Sequence, residues 1–496
     1  MRKWGPLTAV CLGTFMLLLD VTIAIVALPD MARALDASLS DLQWVIDGYA
    51  LALAALLLGI GAAADILGRK RVHLAGVALF ALASLACGLA TGPGMLVAAR
   101  ACQGLGGAAM FATTLPLLAS AYQGKDRSVA LGVWGAVNGA AAALGPVLGG
   151  LLTQGPGWRW IFFVNLPVSV AAVWLTKVAV PESRGPRERR IDWPGTAAFA
   201  VFAGFATFGA VRAGEAGWVS GETALSAALA LAGLIAFVLI ERRSDHPMFD
   251  IGLLRTPAFL GVSLAAFVFN ATAFGLLPYT SIWLQTVLGM SPMRGGLVLL
   301  PLSAASFLVA AAGGRLLHGV PARFTIGGGL VLIGTGCLLQ AVLDSGSSWQ
   351  ALVPGLIAVG VGTGLASPSL AGAALAAVPP ERAGMAGGSV NAFRQLGYAL
   401  GVALLGTAVT SRMQDSLSAE QAHALAGGGA HALRGAVPEG TLRHAFASGL
   451  NTAAVFAGVA GIVAGVVVLA LVRDPRQVGP DKTIKNEGAR DVVHRP

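Results

Sequence analysis

The sequence predicts an all-α polytopic membrane protein of fourteen helices: two six-helix halves with two further helices inserted between them. Three observations carry this. Only 11% of the 496 residues are charged and 56% are hydrophobic, with a mean hydropathy of +0.75. A soluble chain carries about 25% charge, so this one lacks the polar surface to face water all round. Apolar runs of about 20 residues, enough helix to cross roughly 30 Å of hydrocarbon, recur from end to end. Lys and Arg are plentiful in every second connecting segment and sparse in the others.

The expected spans, in chain order, are 7–29, 43–64, 72–91, 94–118, 129–153, 161–180, 194–212, 222–241, 258–284, 294–313, 324–343, 350–375, 385–410 and 446–472. The first follows a basic start and so resembles a signal peptide. No small-x-small cleavage site follows it and a second span begins soon after, so it is expected to be retained as the first helix. An even number of spans puts both termini on one side. With that side inside the cell, 24 of the 33 Lys and Arg residues lie inside and 7 outside, while Arg100 and Arg394 fall within spans. This expects a bacterial inner (plasma) membrane protein with both termini cytoplasmic. The bias also accounts for the net charge of +9 through anionic membrane lipids, without nucleic acid.

The expected domains are residues 1–180 as the first half, 181–257 as a basic linker with the two extra helices, 258–472 as the second half, and 473–496 as a disordered cytoplasmic tail. The Gly/Ala-rich loop 411–445 contains amphipathic pieces expected to lie on the membrane. A faint repeat at an offset of 253 residues supports two halves. "GAAADILGRK" (61–70) aligns with "GRLLHGVPAR" (314–323), and "AVN" (136–138) with "SVN" (389–391). Parallel six-span repeats are the pattern of major facilitator transporters.

Several functions are excluded. Cys11, Cys87, Cys102 and Cys337 are dispersed in apolar spans with no CxxC pair, so they read as four buried thiols. The seven histidines show no ligand spacing, and no Walker A sequence occurs. No metal, no organic cofactor and no enzyme activity are expected, since there is no room for a soluble catalytic domain. A polytopic membrane enzyme would need a clustered His/Asp or Cys/His site, and none is found.

Four stretches carry chemistry. "GAAADILGRKRV" (61–72) joins spans two and three; its glycines permit a tight turn, and Asp65 sits near the start of span three, where a helix N-terminus favours an anion. "LVAARACQGLGGAAM" (96–110) places Arg100 within span four, either as a functional charge or snorkelling to the outer interface. "GAVNGAAAALGPVLGG" (135–150) presents Gly135, Gly139, Gly145 and Gly149 as one small-residue face, with Pro146 bending the helix; packing alone would also explain it. "LLLDVTIAIVALPD" (17–30) buries Asp20 in an apolar run, at a cost of roughly 2.5–3.5 kcal/mol even on insertion scales.

Together these stretches resemble the fourteen-span drug:proton antiporter branch of the major facilitator superfamily, the QacA/EmrB-like group, over the whole chain and most densely over 17–170. "WRWIFFVNLP" (158–167) and "NAFRQLGYALG" (391–401) are also family-typical. The resemblance implies the major facilitator fold. It also implies a cytoplasmic gate latched by Gly61, Asp65, Gly68, Arg69 and Lys70. An antiporter motif would include Gly139, Gly145, Pro146, Gly149 and Gly150. The chain departs from the family at Ala62 and Ile66, usually basic, and at Ile25, usually Asn.

Depth arithmetic places Asp20 about 14 Å and Arg100 about 9 Å from the outer ends of their spans. Asp20 is therefore expected to face the central cavity beside Arg100 and to carry the proton. Asp47 is either a second titrating site or an interfacial acid. Asn138, Asn391, Arg394 and Gln395 are possible cavity residues, with Asn270, Tyr279, Trp283 and Gln285 weaker ones. For each except Arg394, whose charge needs a partner, helix packing is the leading explanation. The expected function is proton-driven export of an amphipathic small molecule such as an antibiotic, by a monomer whose partners are substrate, protons and lipid. Import of a nutrient on the same fold is the alternative. On this reading Asp20→Asn inserts normally and abolishes proton-driven export, measured as drug efflux from cells.

Overall fold

The computed structural model describes residues 3–184, 191–316, 320–378, 383–433 and 435–472. Fourteen of its helices are long and apolar enough to cross a membrane. They are α1 (Gly5–Leu35), α2 (Leu39–Leu67), α3 (Arg69–Gly88), α4 (Pro93–Ala121), α5 (Gly124–Gln154), α6 (Trp160–Ala179), α7 (Trp193–Ala216), α8 (Gly221–Arg243), α9 (Pro257–Val287), α10 (Pro292–Gly313), α11 (Ala322–Gln340), α12 (Trp349–Ala376), α13 (Met385–Met413) and α14 (Glu439–Leu471). No strand occurs among the described residues. The expected tail, 473–496, lies outside them.

Local chemistry sets the helix ends. Ser38 and Asp41 form a reciprocal capping box at the start of α2, satisfying orphan amides. Gly68, at φ +112, turns the chain between α2 and α3 in a backbone region that only glycine enters freely. Asp192 caps α7, accepting from Gly195 N at 2.7 Å. Proline occupies the first turn of α4, α7 and α9, where its missing N–H costs nothing.

Helices α1 to α6 pack among themselves, chiefly as α1 on α5 and α6, α2 on α4, and α3 on α4. Helices α9 to α14 do the same, as α11 on α12 and α14, α10 on α12, and α9 on α13. The halves meet along two seams, α5 with α10 and α2 with α13. The inserted α7 and α8 pair with each other, and α7 lies against both α2 and α13.

The face bearing the N-terminus and the Arg69–Arg71 turn is here the basic face. At the opposite face the two halves are shut. Gln43 Nε2 donates to Tyr279 Oη at 2.8 Å, and Tyr279 donates to Val402 O at 2.6 Å. Gln285 Nε2 donates to Val26 O at 2.8 Å. Gly150 lies so close to α10 that a Cβ would fall 2.6 Å from Met293 Cα; one on Gly296 would fall 2.2 Å from Pro146 O. Towards the basic face α5 comes free: Gly132, Val133, Gly135 and Ala136 are all exposed, and nothing approaches a Cβ on either glycine within 4 Å. The molecule is closed at the opposite face and opens towards the basic one.

The 411–445 loop corrects one expectation. Its helix Ala419–Ala426 does not lie out on the membrane. Ala422, Leu425 and Ala426 are fully buried, and His423 Nε2 meets Gly214 O of α7 at 3.0 Å. A Cβ on the following Gly428 would come within 4.0 Å of Pro29 and Ala32 of α1 and Thr286 of α9. The loop thus covers the shut seam, because its apolar face finds protein to bury against before it finds lipid.

Gly296→Ala tests the seam. A methyl there meets a backbone carbonyl that cannot turn aside, so we expect a loss of about 1–3 kcal/mol from overpacking. A spin-label distance across the opposite face should lengthen.

Candidate functional site

Asp20 sits mid-α1 and Arg100 two turns into α4, each 1% exposed. They form an ion pair through Asp20 Oδ2 and Arg100 Nη1. Around it is a shell of hydrogen bonds. Arg100 Nε donates to Val45 O of α2 at 2.9 Å and Nη1 to Gln103 Oε1 at 2.7 Å. Asp20 Oδ1 accepts from Gln103 Nε2 at 2.8 Å and from Asn165 Nδ2 of α6 at 3.0 Å. Both amides also donate to Ser84 Oγ of α3, at 2.9 and 3.3 Å. The guanidinium lies 4.4 Å over the Tyr49 ring, a favourable cation–π position.

This overturns one expectation and decides between two alternatives. Asp20 does not face the central cavity; its carboxylate points into the first half, where charge pairing repays desolvation. Arg100 does not snorkel outward, because a carboxylate lies within reach. The polar neighbour absent at Ile25 is supplied from elsewhere: Gln103 and Asn165 come from α4 and α6. The sequence reading missed Ser84, Gln103 and Asn165. A Gln one turn beyond an embedded Arg was the available signal.

Asp47 is different. It is fully buried in α2, and neither carboxylate oxygen has a hydrogen-bond partner. It is therefore not an interfacial acid. It lies close enough to Tyr279 of α9 and Tyr398 of α13 to act on both electrostatically, which places it at the seam between the halves. The Tyr398 hydroxyl is also buried without a partner.

In the 61–72 turn, Asp65 belongs to the last turn of α2, rather than to the start of α3, because α2 runs on to Leu67. It pairs with Arg69 Nη2 at 2.8 Å. Arg69 N donates to Ser183 O at 2.9 Å, and Lys70 N to Glu182 Oε1 at 3.0 Å. The turn is thus tied to the chain leaving α6. A Cβ on Gly68 would collide with the Glu182 carboxylate at 2.8 Å, while one on Gly61 would meet only Ala112, at 3.9 Å. Ile66, where the family carries a basic residue, is 39% exposed.

The glycines of α5 do not form one face. Gly145 and Gly149 seat α1, with would-be Cβ positions 1.8 Å from Thr22 Oγ1 and 2.8 Å from Ile23 O. Gly139 and Gly150 face α10, at Phe307 and Met293, and Gly135 faces nothing. Four-residue spacing drifts around a helix of 3.6 residues per turn, so the motif serves two neighbours. Pro146 lies within α5, its carbonyl against Gly296.

The cavity candidates divide. Tyr279, Trp283 and Gln285 are buried in the shut seam. Asn138 has a buried Oδ1 without a partner. Asn391 Nδ2 donates to Gly387 O of its own helix at 3.0 Å, and Gln395 is half-buried. Arg394, also half-buried, donates through Nε to Asn270 Oδ1 at 3.3 Å and lies 5.1 Å over the Phe269 ring. Cys102 is exposed on α4, correcting the expectation of four buried thiols: its side of the helix faces outward. No group of three or more His, Cys, Asp or Glu is arranged to hold a metal among the described residues.

The family model described as Major Facilitator Superfamily matches residues 10–402. The chain belongs to the Major Facilitator Superfamily. It is 38% identical over 443 residues to the multidrug resistance protein Stp of Mycobacterium tuberculosis (strain CDC 1551 / Oshkosh), covering 89% of this chain and 80% of that protein. It is 34% identical to the tetracenomycin C resistance and export protein of Streptomyces glaucescens, covering 98% and 94%. Among solved structures, a bacterial homologue of the human lysosomal transporter Spinster, inward-facing and unoccupied, superposes with a TM-score of 0.65 at 18% identity, over 95% of this chain and 97% of that one. That superposition shows a shared fold.

The buried pair predicts a specific pattern of stability. Asp20→Asn strands the Arg100 charge and should cost about 3–5 kcal/mol, seen as lost monodisperse protein in detergent. Removing both charges, as Asp20→Asn with Arg100→Gln, should recover much of that loss in a double-mutant cycle.

Proposed function

We propose that the protein exports an amphipathic small molecule, such as an antibiotic or other toxic compound, in exchange for protons, and so confers resistance on a bacterial cell. The basic face is cytoplasmic, both termini lie there, and the membrane is the inner (plasma) membrane. The transporter works as a monomer, uses no organic cofactor and draws on the proton gradient. Membership of the superfamily supports transport, and the names of the resistance and export relatives support the outward direction.

One observation carries the coupling: Asp47 is a fully buried carboxylate with no partner, at the seam that must part for substrate to leave. A lone charge in such a place is expensive. When the outer seam opens, Asp47 meets water and takes up a proton. The neutral acid is then compatible with the closed seam seen here. Release of that proton towards the cytoplasm completes the exchange. Asp20 and Arg100 remain paired throughout and hold the first half rigid while the halves rock. The Asp65–Arg69 turn and the α5 glycines govern opening at the inner side and the fit of α5 to both halves.

The test is transport into everted vesicles under an imposed pH gradient. Wild-type protein should accumulate an amphipathic dye as the gradient is applied and release it on collapse. Asp47→Asn should insert at normal levels, lose gradient-driven accumulation to background, and keep dye exchange without a gradient. Gradient-driven accumulation at the wild-type rate in Asp47→Asn would remove Asp47 from the coupling. Movement of dye in the opposite sense would identify an importer.

A further inference from the structure

Two arginines, Arg100 and Arg394, lie well inside their helices away from the ends, and they are treated differently. Arg100 has a carboxylate; Arg394 has none among the described residues. Its nearest partner is a neutral amide oxygen, Asn270 Oδ1, at 3.3 Å, at the long edge of hydrogen bonding. The Phe269 ring, 5.1 Å away, adds only a modest attraction. Only Nε is engaged; neither Nη group makes a hydrogen bond among the described residues. An embedded guanidinium without an anion is costly.

Its position shows where an anion can come from. Residues 387, 391, 394 and 398 are spaced three and four apart and so lie on one face of α13. At the outer end of this stripe Tyr398 is buried near Asp47. At its inner end a Cβ on Gly387 would meet only Leu375, at 3.9 Å. Asn391, between them, is half-buried with its amide turned back on its own helix. Arg394 is thus the charged point on a stripe leading from the open side of the molecule to the buried acid.

We propose that Arg394 recognises an anionic group of the transported molecule, so that the substrate class is an amphiphile bearing a carboxylate or an ionised phenol or enol. The two Nη groups present the paired donors that an oxyanion accepts side by side, while Asn270 fixes the plane of the guanidinium and Phe269 lies against it. This rests on the export reading above and narrows it.

Fluorescein, an anionic amphiphile, and rhodamine 6G, a cationic one of similar shape, separate the two ideas. In everted vesicles wild-type protein should accumulate fluorescein under a pH gradient. Arg394→Gln should lower that rate at least about tenfold, and Arg394→Lys, which keeps the charge without the fork, should fall between. Arg394→Gln should elute from detergent as monodisperse protein at the wild-type yield, which serves as the folding control, and should show no matching loss of whatever rhodamine 6G transport the wild type has. Fluorescein transport at the wild-type rate in Arg394→Gln, or wild-type transport of rhodamine 6G alone, would overturn the assignment. Absence of gradient-driven movement of either dye would count against export itself. Fluorescence polarisation of fluorescein with purified protein then still decides Arg394: binding lost in Arg394→Gln supports it, and binding unchanged, or none to the wild type, rejects it.

Discussion

The first half of the molecule is organised around one buried charge pair. Asp20 and Arg100 reach, directly or through Gln103, Asn165 and Ser84, into α1, α2, α3, α4 and α6. Hydrogen bonds in an apolar interior are strong when complete and costly when one is missing. That makes the cluster all-or-none, and it specifies the relative heights of five helices that hydrophobic packing in lipid would leave free to slide. The α5 glycines then bring α5 against α1 at Thr22 and Ile23, one turn from Asp20.

The fold was legible because membrane insertion is governed by composition and length. Fourteen apolar runs gave fourteen helices, and their bounds moved most at the end of α1, from 29 to Leu35, and at the start of α14, from 446 to Glu439. The seam-closing loop was not legible in the same way. The pattern at Ala419–Ala426 is amphipathic whether its apolar face meets lipid or protein, and only the closed state of the halves decides. The shared depth of Asp20 and Arg100 followed from helix rise alone. Which way Asp20 pointed did not, because direction about the helix axis depends on which neighbours offer amides, and Asn165 is far away in sequence.

Asp47 shows the same limit from the other side. Near the outer end of an apolar run, sequence cannot tell an acid that reaches water from one covered by a second half of the chain. Packing of α13 on α2, with Tyr279 of α9 bonded to Gln43 one turn away, decides it. These four embedded charges therefore have three distinct environments. Asp20 and Arg100 are compensated within one half, Asp47 is covered by both halves and uncompensated, and Arg394 is half-open with a neutral neighbour.

The shut seam is made of amide–phenol and amide–carbonyl bonds and of glycines pressed against backbone. Among the described residues, no ion pair crosses from one half to the other. Parting the halves at this seam therefore breaks no ion pair among the described residues, and Asp47 is the one carboxylate there that it exposes to water. The rate of the conformational change should accordingly respond weakly to ionic strength and strongly to the thickness and lateral pressure of the surrounding bilayer, which act on volume and area rather than on charge.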